Sequence, residues 1–247
     1  MSRTNFKMKI EYNGSNFFGW QKQNGKRTVQ GELENAFLVL TQQEVSVEGS
    51  GRTDKGVHSL GQVASVEFDN KMPVKKIKQA LNNLLPKDIV VKSITKVPFD
   101  FHARFSAKKK TYRYTVQIKG DRSALNFDRI AYYPYEVDLD KIKKISKKLE
   151  GVHNFKGFCS SATSTNNFER EIYFIKIKKV GNNLIFEVCG NGFLYNMVRI
   201  IVGTLLEVGR NKLTEEDVER ALQNGDRKFS GKTMPACGLC LMKVEYK

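Results

Sequence analysis

The chain has 247 residues, 40% of them hydrophobic and 28% charged, with 42 Lys and Arg against 26 Asp and Glu for a net charge of +16. This composition excludes a disordered or fibrous protein, and no apolar run reaches the ~20 residues of a membrane span. The positive excess is spread over the whole chain rather than held in a tail, so the basic surface belongs to the fold and points to a polyanionic partner, nucleic acid first.

In chain order, Phe6, Met8, Ile10 and Tyr12 alternate as a half-buried strand, and Val29, Leu33, Ala36, Phe37 and Leu40 follow at helical spacing behind a Thr28 cap. Val45 and Val47 predict a second strand that runs into a loop, and Val63, Val66 and Phe68 a third that leaves it. Pro73 opens a helix carrying Val74, Ile77, Leu81 and Leu84, Pro86 stops it, and Ile89, Val91 and Ile94 form a fourth strand. The order βαββαβ is the ferredoxin-like split motif.

A connector with the cluster Lys108-Lys109-Lys110 leads into Tyr112, Tyr114, Val116 and Ile118 in strand alternation. A weaker strand near Ile130 to Tyr135 precedes a helix with Ile142, Ile145 and Leu149 on one face. A polar stretch from Cys159 to Asn167 separates it from strands at Ile172 to Val180 and Leu184 to Val188, joined by the Gly181-Asn182-Asn183 turn. Leu194 to Leu205 forms an amphipathic helix, Thr214 to Gln223 an extra one, and Leu239 to Tyr246 a last strand. The fold class is therefore α+β, two fused ferredoxin-like halves in one large antiparallel sheet, helices on one face and an RNA-binding cleft on the other. The first half covers 1–104 and carries the Asp loop; the second covers 105–247 and includes the basic connector.

The chemistry concentrates in Gly51-Arg52-Thr53-Asp54-Lys55-Gly56-Val57-His58, a loop between two strands. Its glycines permit a sharp turn and close approach of a ligand to the main chain. Arg52 and Lys55 are expected to hold Asp54 ionised by attraction, ready to act as nucleophile or base. The four cysteines, at 159, 189, 237 and 240, include a single C-x-x-C pair, and the three histidines stand apart. That pattern reads as reduced thiols rather than a zinc site. No secretory signal is apparent, and the chain reads as cytoplasmic.

Five segments occur in register: the Asp54 loop; Phe101-His102-Ala103-Arg104-Phe105-Ser106; Tyr112-Arg113-Tyr114; Asn191-x-Phe193-Leu194-x-x-Met197-Val198-Arg199; and Gly238-Leu239-x-Leu241. Together they resemble the tRNA pseudouridine synthase A (TruA) family over nearly the whole chain. The resemblance implies a cofactor-free, metal-free isomerase that detaches uracil from C1′ of a tRNA uridine and rejoins it through C5, at positions 38, 39 or 40 of the anticodon stem-loop. It implies Asp54 as nucleophile, Tyr112 stacking on the uracil, Arg199 as the basic partner of the aspartate, Arg52 assisting base extrusion and Leu239 packing near the base. It also implies a homodimer. His58 is expected to shape the loop, and Cys240 stands where the family often has an aromatic residue. Lys108, Lys109 and Lys110, with Lys22, Lys26 and Arg27, are candidate phosphate contacts. The competing readings are a non-catalytic RNA-binding protein or tRNA chaperone on the same fold, and a carboxylate-dependent hydrolase or nuclease using Asp54 with His58. The second normally needs another acid or metal ligands beside the loop.

Overall fold

A computed structural model describes residues 3–161 and 165–247 of the chain. Its elements run β1 (Arg3–Tyr12), α1 (Val29–Thr41), β2 (Glu48–Gly49), β3 (His58–Asp69), α2 (Val74–Leu84), β4 (Ile89–Val97), β5 (Lys109–Gln117), β6 (Ala131–Tyr132), α3 (Leu139–Lys148), β7 (Gly151–Asn154), β8 (Glu169–Val180), β9 (Asn183–Gly190), α4 (Met197–Gly209), α5 (Glu215–Asn224) and β10 (Leu239–Glu245). The mixed α+β character expected from periodicity holds. The chain divides into two compact units, one of residues Met1–Lys108 with Leu241–Lys247 and the other of Lys109–Cys240.

In the first unit β1 is central, antiparallel to β3 on one side and β4 on the other. Phe6, Met8, Ile10 and Tyr12 bury the face that carries α1 and α2, and they meet Leu33, Phe37, Ile77 and Leu81 in a continuous core. Burial of each such side chain contributes roughly 1.5–3 kcal/mol. Helix α1 begins where Thr28 accepts the amide of Gly31. Helix α2 stops at Leu85, whose extended backbone (φ −71°, ψ 146°) is what the following Pro86 demands.

The second strand is shorter than expected. Only Glu48 and Gly49 pair, opposite Ser65 and Ala64, and Val45 and Val47 lie outside it. The reason is competition for one edge: β10 also neighbours β3, and the Ser59 hydroxyl donates to the carbonyl of Leu241 at 3.2 Å. The edge is shared between a local strand and the far end of the chain.

In the second unit the order is β5-β9-β8-β7. The strand that opens this unit is β5, fully paired with β9 from Lys110↔Gly190 to Gln117↔Asn183. The weaker strand near Ile130 to Tyr135 reduces to β6, two residues parallel to β5, since Pro134 lacks the N–H that a longer ladder requires. Tyr114, Val116, Leu184, Phe186 and Val188 form the sheet side of the core, closed by Ile142, Ile145, Ile201 and Leu205. Helix α5 starts on a reciprocal capping box between Thr214 and Asp217. Of the polar stretch expected from Cys159 to Asn167, residues 162–164 lie outside the described residues.

Candidate functional site

The Asp54 loop leaves the edge region and enters β3, and nearly every residue of it is tied down. At its start Ser50 donates its amide to Val63 at 2.7 Å and its hydroxyl to Gln62 Oε1 at 2.7 Å, while Gln62 Nε2 donates to the Gly51 carbonyl at 2.9 Å. Gln62 is fully buried, so these bonds form away from water. At the next residue the hydroxyls of Thr53 and Tyr12 share a buried hydrogen bond of 2.8 Å. Strand β1 shifts register between Ile10 and Tyr12 at this point.

The other wall of the loop is the segment Gly14 to Trp20. Trp20 donates its amide to the Thr53 carbonyl at 3.0 Å, and Gly56 donates to the Phe17 carbonyl at 3.3 Å. Gly19 has φ +91°, and a Cβ there would lie 2.5 Å from the Thr53 oxygen. A Cβ on Gly14 would collide with the Val57 carbonyl. His58 is buried and its Nδ1 accepts the amide of Gly14 at 3.1 Å, which gives it a loop-holding contact. The result is a half-buried Asp54 on a backbone bonded from both sides.

The two flanking cations make their closest recorded side-chain contacts elsewhere on the loop's surroundings. Arg52 Nε donates to Gln21 Oε1 at 3.1 Å, and Lys55 Nζ sits 4.2 Å from the centroid of Phe18. A chain of contacts running inward from the surface explains the direction of Arg52: Gln21 Nε2 donates to Gln30 Oε1, and Gln30 Nε2 to Glu34, which also receives Lys22 Nζ at 2.9 Å and the Val47 amide at 3.2 Å. Arg27 is also spent within the fold. Its guanidinium meets both carboxylate oxygens of Asp88 at 2.8 Å and Glu32 at 2.8 Å, and its pKa is raised chiefly by the Asp88 hydrogen bond. Such a bidentate pair fixes the guanidinium in place.

The second unit holds Tyr112, Arg199 and Leu239. Tyr112 lies on β5 opposite Val188, 8% exposed, with its ring edge-on to Phe193 (centroids 5.2 Å apart, 88°). Two residues on, the Tyr114 hydroxyl donates to the Pro235 carbonyl at 2.7 Å, and burial pushes its phenol well above the usual range. Arg199, near the start of α4, donates from Nε to the Met234 carbonyl at 2.7 Å and from Nη1 to Asn196 Oδ1. Asn196 itself has φ +61° and donates to Ser160 Oγ at 2.9 Å. Leu239 follows at the start of β10, 6% exposed, and a Cβ on Gly238 would come within 2.6 Å of the Tyr114 ring. Segment 234–239 is thus held by the carbonyls that Arg199 and Tyr114 recruit, which brings Arg199, Tyr114 and the start of β10 into one neighbourhood of this unit.

Lys108 and Lys109 are exposed and Lys110 half-buried. Lys108 donates its amide to Glu245 at 2.8 Å, and Lys109 Nζ lies 4.7 Å from the Tyr173 centroid. The four cysteines are free thiols, and burial pushes the Cys237 thiol up. Sequence reasoning missed Tyr12, Gln62, Gly19 and Asn196. Each acts through a partner distant in the chain or through a backbone angle, and neither leaves a local pattern.

A family model described as tRNA pseudouridine synthase matches residues 8–106 and 145–247. A Caldicellulosiruptor saccharolyticus protein named tRNA pseudouridine synthase A is 42% identical over 242 residues, covering 98% of this chain and 99% of that one. An Anoxybacillus flavithermus protein of the same name is 45% identical over 241 residues, covering 97% and 98%. Among solved structures, one chain of a Cbf5-Nop10-Gar1 complex aligns with 96% of this chain and 58% of its own length, at TM-score 0.39 and 13% identity.

Proposed function

This chain belongs to the tRNA pseudouridine synthase family, and from that premise we propose that it isomerises uridine to pseudouridine at positions 38, 39 or 40 of the tRNA anticodon stem-loop. The reaction breaks the bond from C1′ to N1, turns the uracil, and forms a bond from C1′ to C5. The C5 proton is lost and N1 gains one, so atoms and electrons balance without an oxidant or reductant. Positive charge builds on C1′ as the first bond breaks, and a carboxylate is the side chain suited to capture or stabilise it.

Asp54 supplies that carboxylate. The observation that carries the reading is its setting: a half-buried acid on a loop bonded at Ser50, Gly51, Thr53, Gly56 and His58, in a chain so similar to enzymes of that name. A loop fixed this way loses little freedom on meeting substrate, which is the condition for a well-aligned attack. Tyr112 offers a ring for stacking on the uracil and a hydroxyl for proton movement, Leu239 an apolar contact for the base, and Arg199 compensating positive charge from an orientation set by Met234 and Asn196. Arg52, exposed on the same loop as Asp54, assists extrusion of the base from the stack. Lys108, Lys109 and Lys110 contribute phosphate contacts, and RNA of this kind is read through phosphates, 2′-hydroxyls and splayed bases.

We infer further that the protein works as a homodimer in the cytoplasm. The support is the resemblance of the chain's motifs to this family.

The test is Asp54→Asn, incubated with unmodified tRNA and read by mapping pseudouridine at nucleotide resolution. Product formation is lost while tRNA affinity stays within a few fold, because one neutralised carboxylate removes the nucleophile and makes the protein slightly more attractive to RNA. Residual activity above a few per cent of wild type, with deamidation excluded by mass spectrometry, refutes the assignment.

A further inference from the structure

The cations around the Asp54 loop fall into two groups. Lys22 is neutralised by Glu34, and Arg27 by Asp88 and Glu32. Lys26, Arg52 and Lys55 are exposed, and none of them forms a salt bridge among the described residues. Two of these three converge on one ring: Lys26 Nζ is 4.8 Å and Lys55 Nζ 4.2 Å from the centroid of Phe18, which is itself 38% exposed. Phe18 is not loosely placed. Its amide donates to the Arg27 carbonyl at 2.8 Å, its carbonyl accepts Gln23 Nε2 at 3.1 Å, and its neighbours Phe17 and Trp20 are bonded to Gly56 and Thr53.

The arrangement has no evident structural return. An exposed cation–π contact is worth about 0.5–1 kcal/mol, and gathering two ammonium groups over one ring costs part of that through mutual repulsion on a protein already at +16. Core packing does not need Phe18, since Phe17 and Trp20 beside it are buried to 1% and 2%. An aromatic face flanked by unneutralised cations is, however, what a single-stranded nucleotide step fits, with a base on the ring and the adjoining phosphates on the ammonium groups.

We infer that Phe18, with Lys26 and Lys55, is a landing platform for an unpaired nucleotide of the substrate RNA next to the reacting uridine. The lysines move to the phosphates and bare the ring for stacking. The platform positions the RNA and takes no part in bond making. This inference rests on the proposed tRNA substrate.

The test compares Phe18→Leu, Phe18→Trp and the double variant Lys26→Gln with Lys55→Gln in the full chain, using unmodified tRNA. Phe18→Leu raises Kd and KM by roughly 5- to 100-fold, with the loss on KM rather than kcat, and Phe18→Trp restores both. The double lysine variant flattens the slope of log affinity against log salt by about 1.4–1.8, two phosphates' worth, whereas Phe18→Leu leaves that slope unchanged. A Phe18→Leu protein with wild-type melting and wild-type tRNA affinity overturns the inference, as does a double variant that keeps the full salt slope. In either case a wild type that makes pseudouridine leaves the proposed function standing. A wild type that binds no tRNA overturns both.

Discussion

Replacing Gly19 by alanine isolates the backbone support of Asp54 from its chemistry. The residue sits at φ +91°, where an L side chain costs about 1–2 kcal/mol. Its Cβ would stand 2.5 Å from the Thr53 carbonyl oxygen, so that carbonyl must withdraw and weaken the bond it accepts from Trp20, worth roughly 0.5–1.5 kcal/mol. The sum, about 1.5–3.5 kcal/mol, is a fraction of the roughly 5–15 kcal/mol that keeps a domain folded, and for a chain of this size it lowers Tm by about 3–14 °C. Thr53 adjoins Asp54, and a displacement near 1 Å at a reacting group costs on the order of a hundredfold in rate. Turnover is read as tritium release from tRNA labelled at uridine C5, since C5 gives up its hydrogen when it bonds to C1′. Gly181→Ala is the control. That glycine also has positive φ, but no atom lies within 4 Å of its Cβ position, so it loses stability without losing rate. A Gly19→Ala protein with wild-type Tm and turnover, or a Gly181→Ala protein slowed as much, refutes the reasoning.

Tyr112→Phe keeps the ring and loses the hydroxyl, so turnover falls further than affinity; Tyr112→Ala loses both, with stacking worth on the order of 1–3 kcal/mol, and wild-type kinetics in both variants makes Tyr112 a packing residue only. Charge reversal at Lys108, Lys109 and Lys110 weakens all tRNA substrates together and flattens the salt slope by about 2–3, measured by filter binding across a salt series with melting as the folding control. The Tyr133 phenol is pushed up to about 12 by burial, with Glu207 accepting its proton at 2.8 Å. The folded state therefore holds a proton that the unfolded chain releases near pH 10, so this contribution to stability is intact below pH 10 and lost as pH rises towards 12. Denaturant melts from pH 9 to 12 check the sign, and Tyr133→Phe removes that part of the decline.

Much of the fold was legible because its determinants are local sums. A strand that buries one face must alternate, which is why Phe6, Met8, Ile10 and Tyr12 marked β1 and Tyr112, Tyr114 and Val116 marked β5. A helix must satisfy its first amides, which is why Thr28 marked the start of α1. Asp54 was visible in its motif, since the residue types a reaction needs are written in the chain whatever surrounds them.

Tertiary structure decided the rest, in each case through a competition between partners distant in sequence. Val45 and Val47 carry strand propensity, yet β2 stops at two residues because β10 takes part of the same edge of β3. Arg52 and Lys55 adjoin or nearly adjoin Asp54 in the chain, yet an amide network draws one to Gln21 and an exposed ring draws the other to Phe18. Arg27 and Lys26 are consecutive cations with opposite fates, because only Arg27 comes within reach of Asp88, 61 residues away. Periodicity measures how each residue prefers to meet an apolar face, and it is a property of the segment. The partner a charged or polar side chain finally keeps depends on which groups folding brings within about 3 Å, and that belongs to the whole molecule.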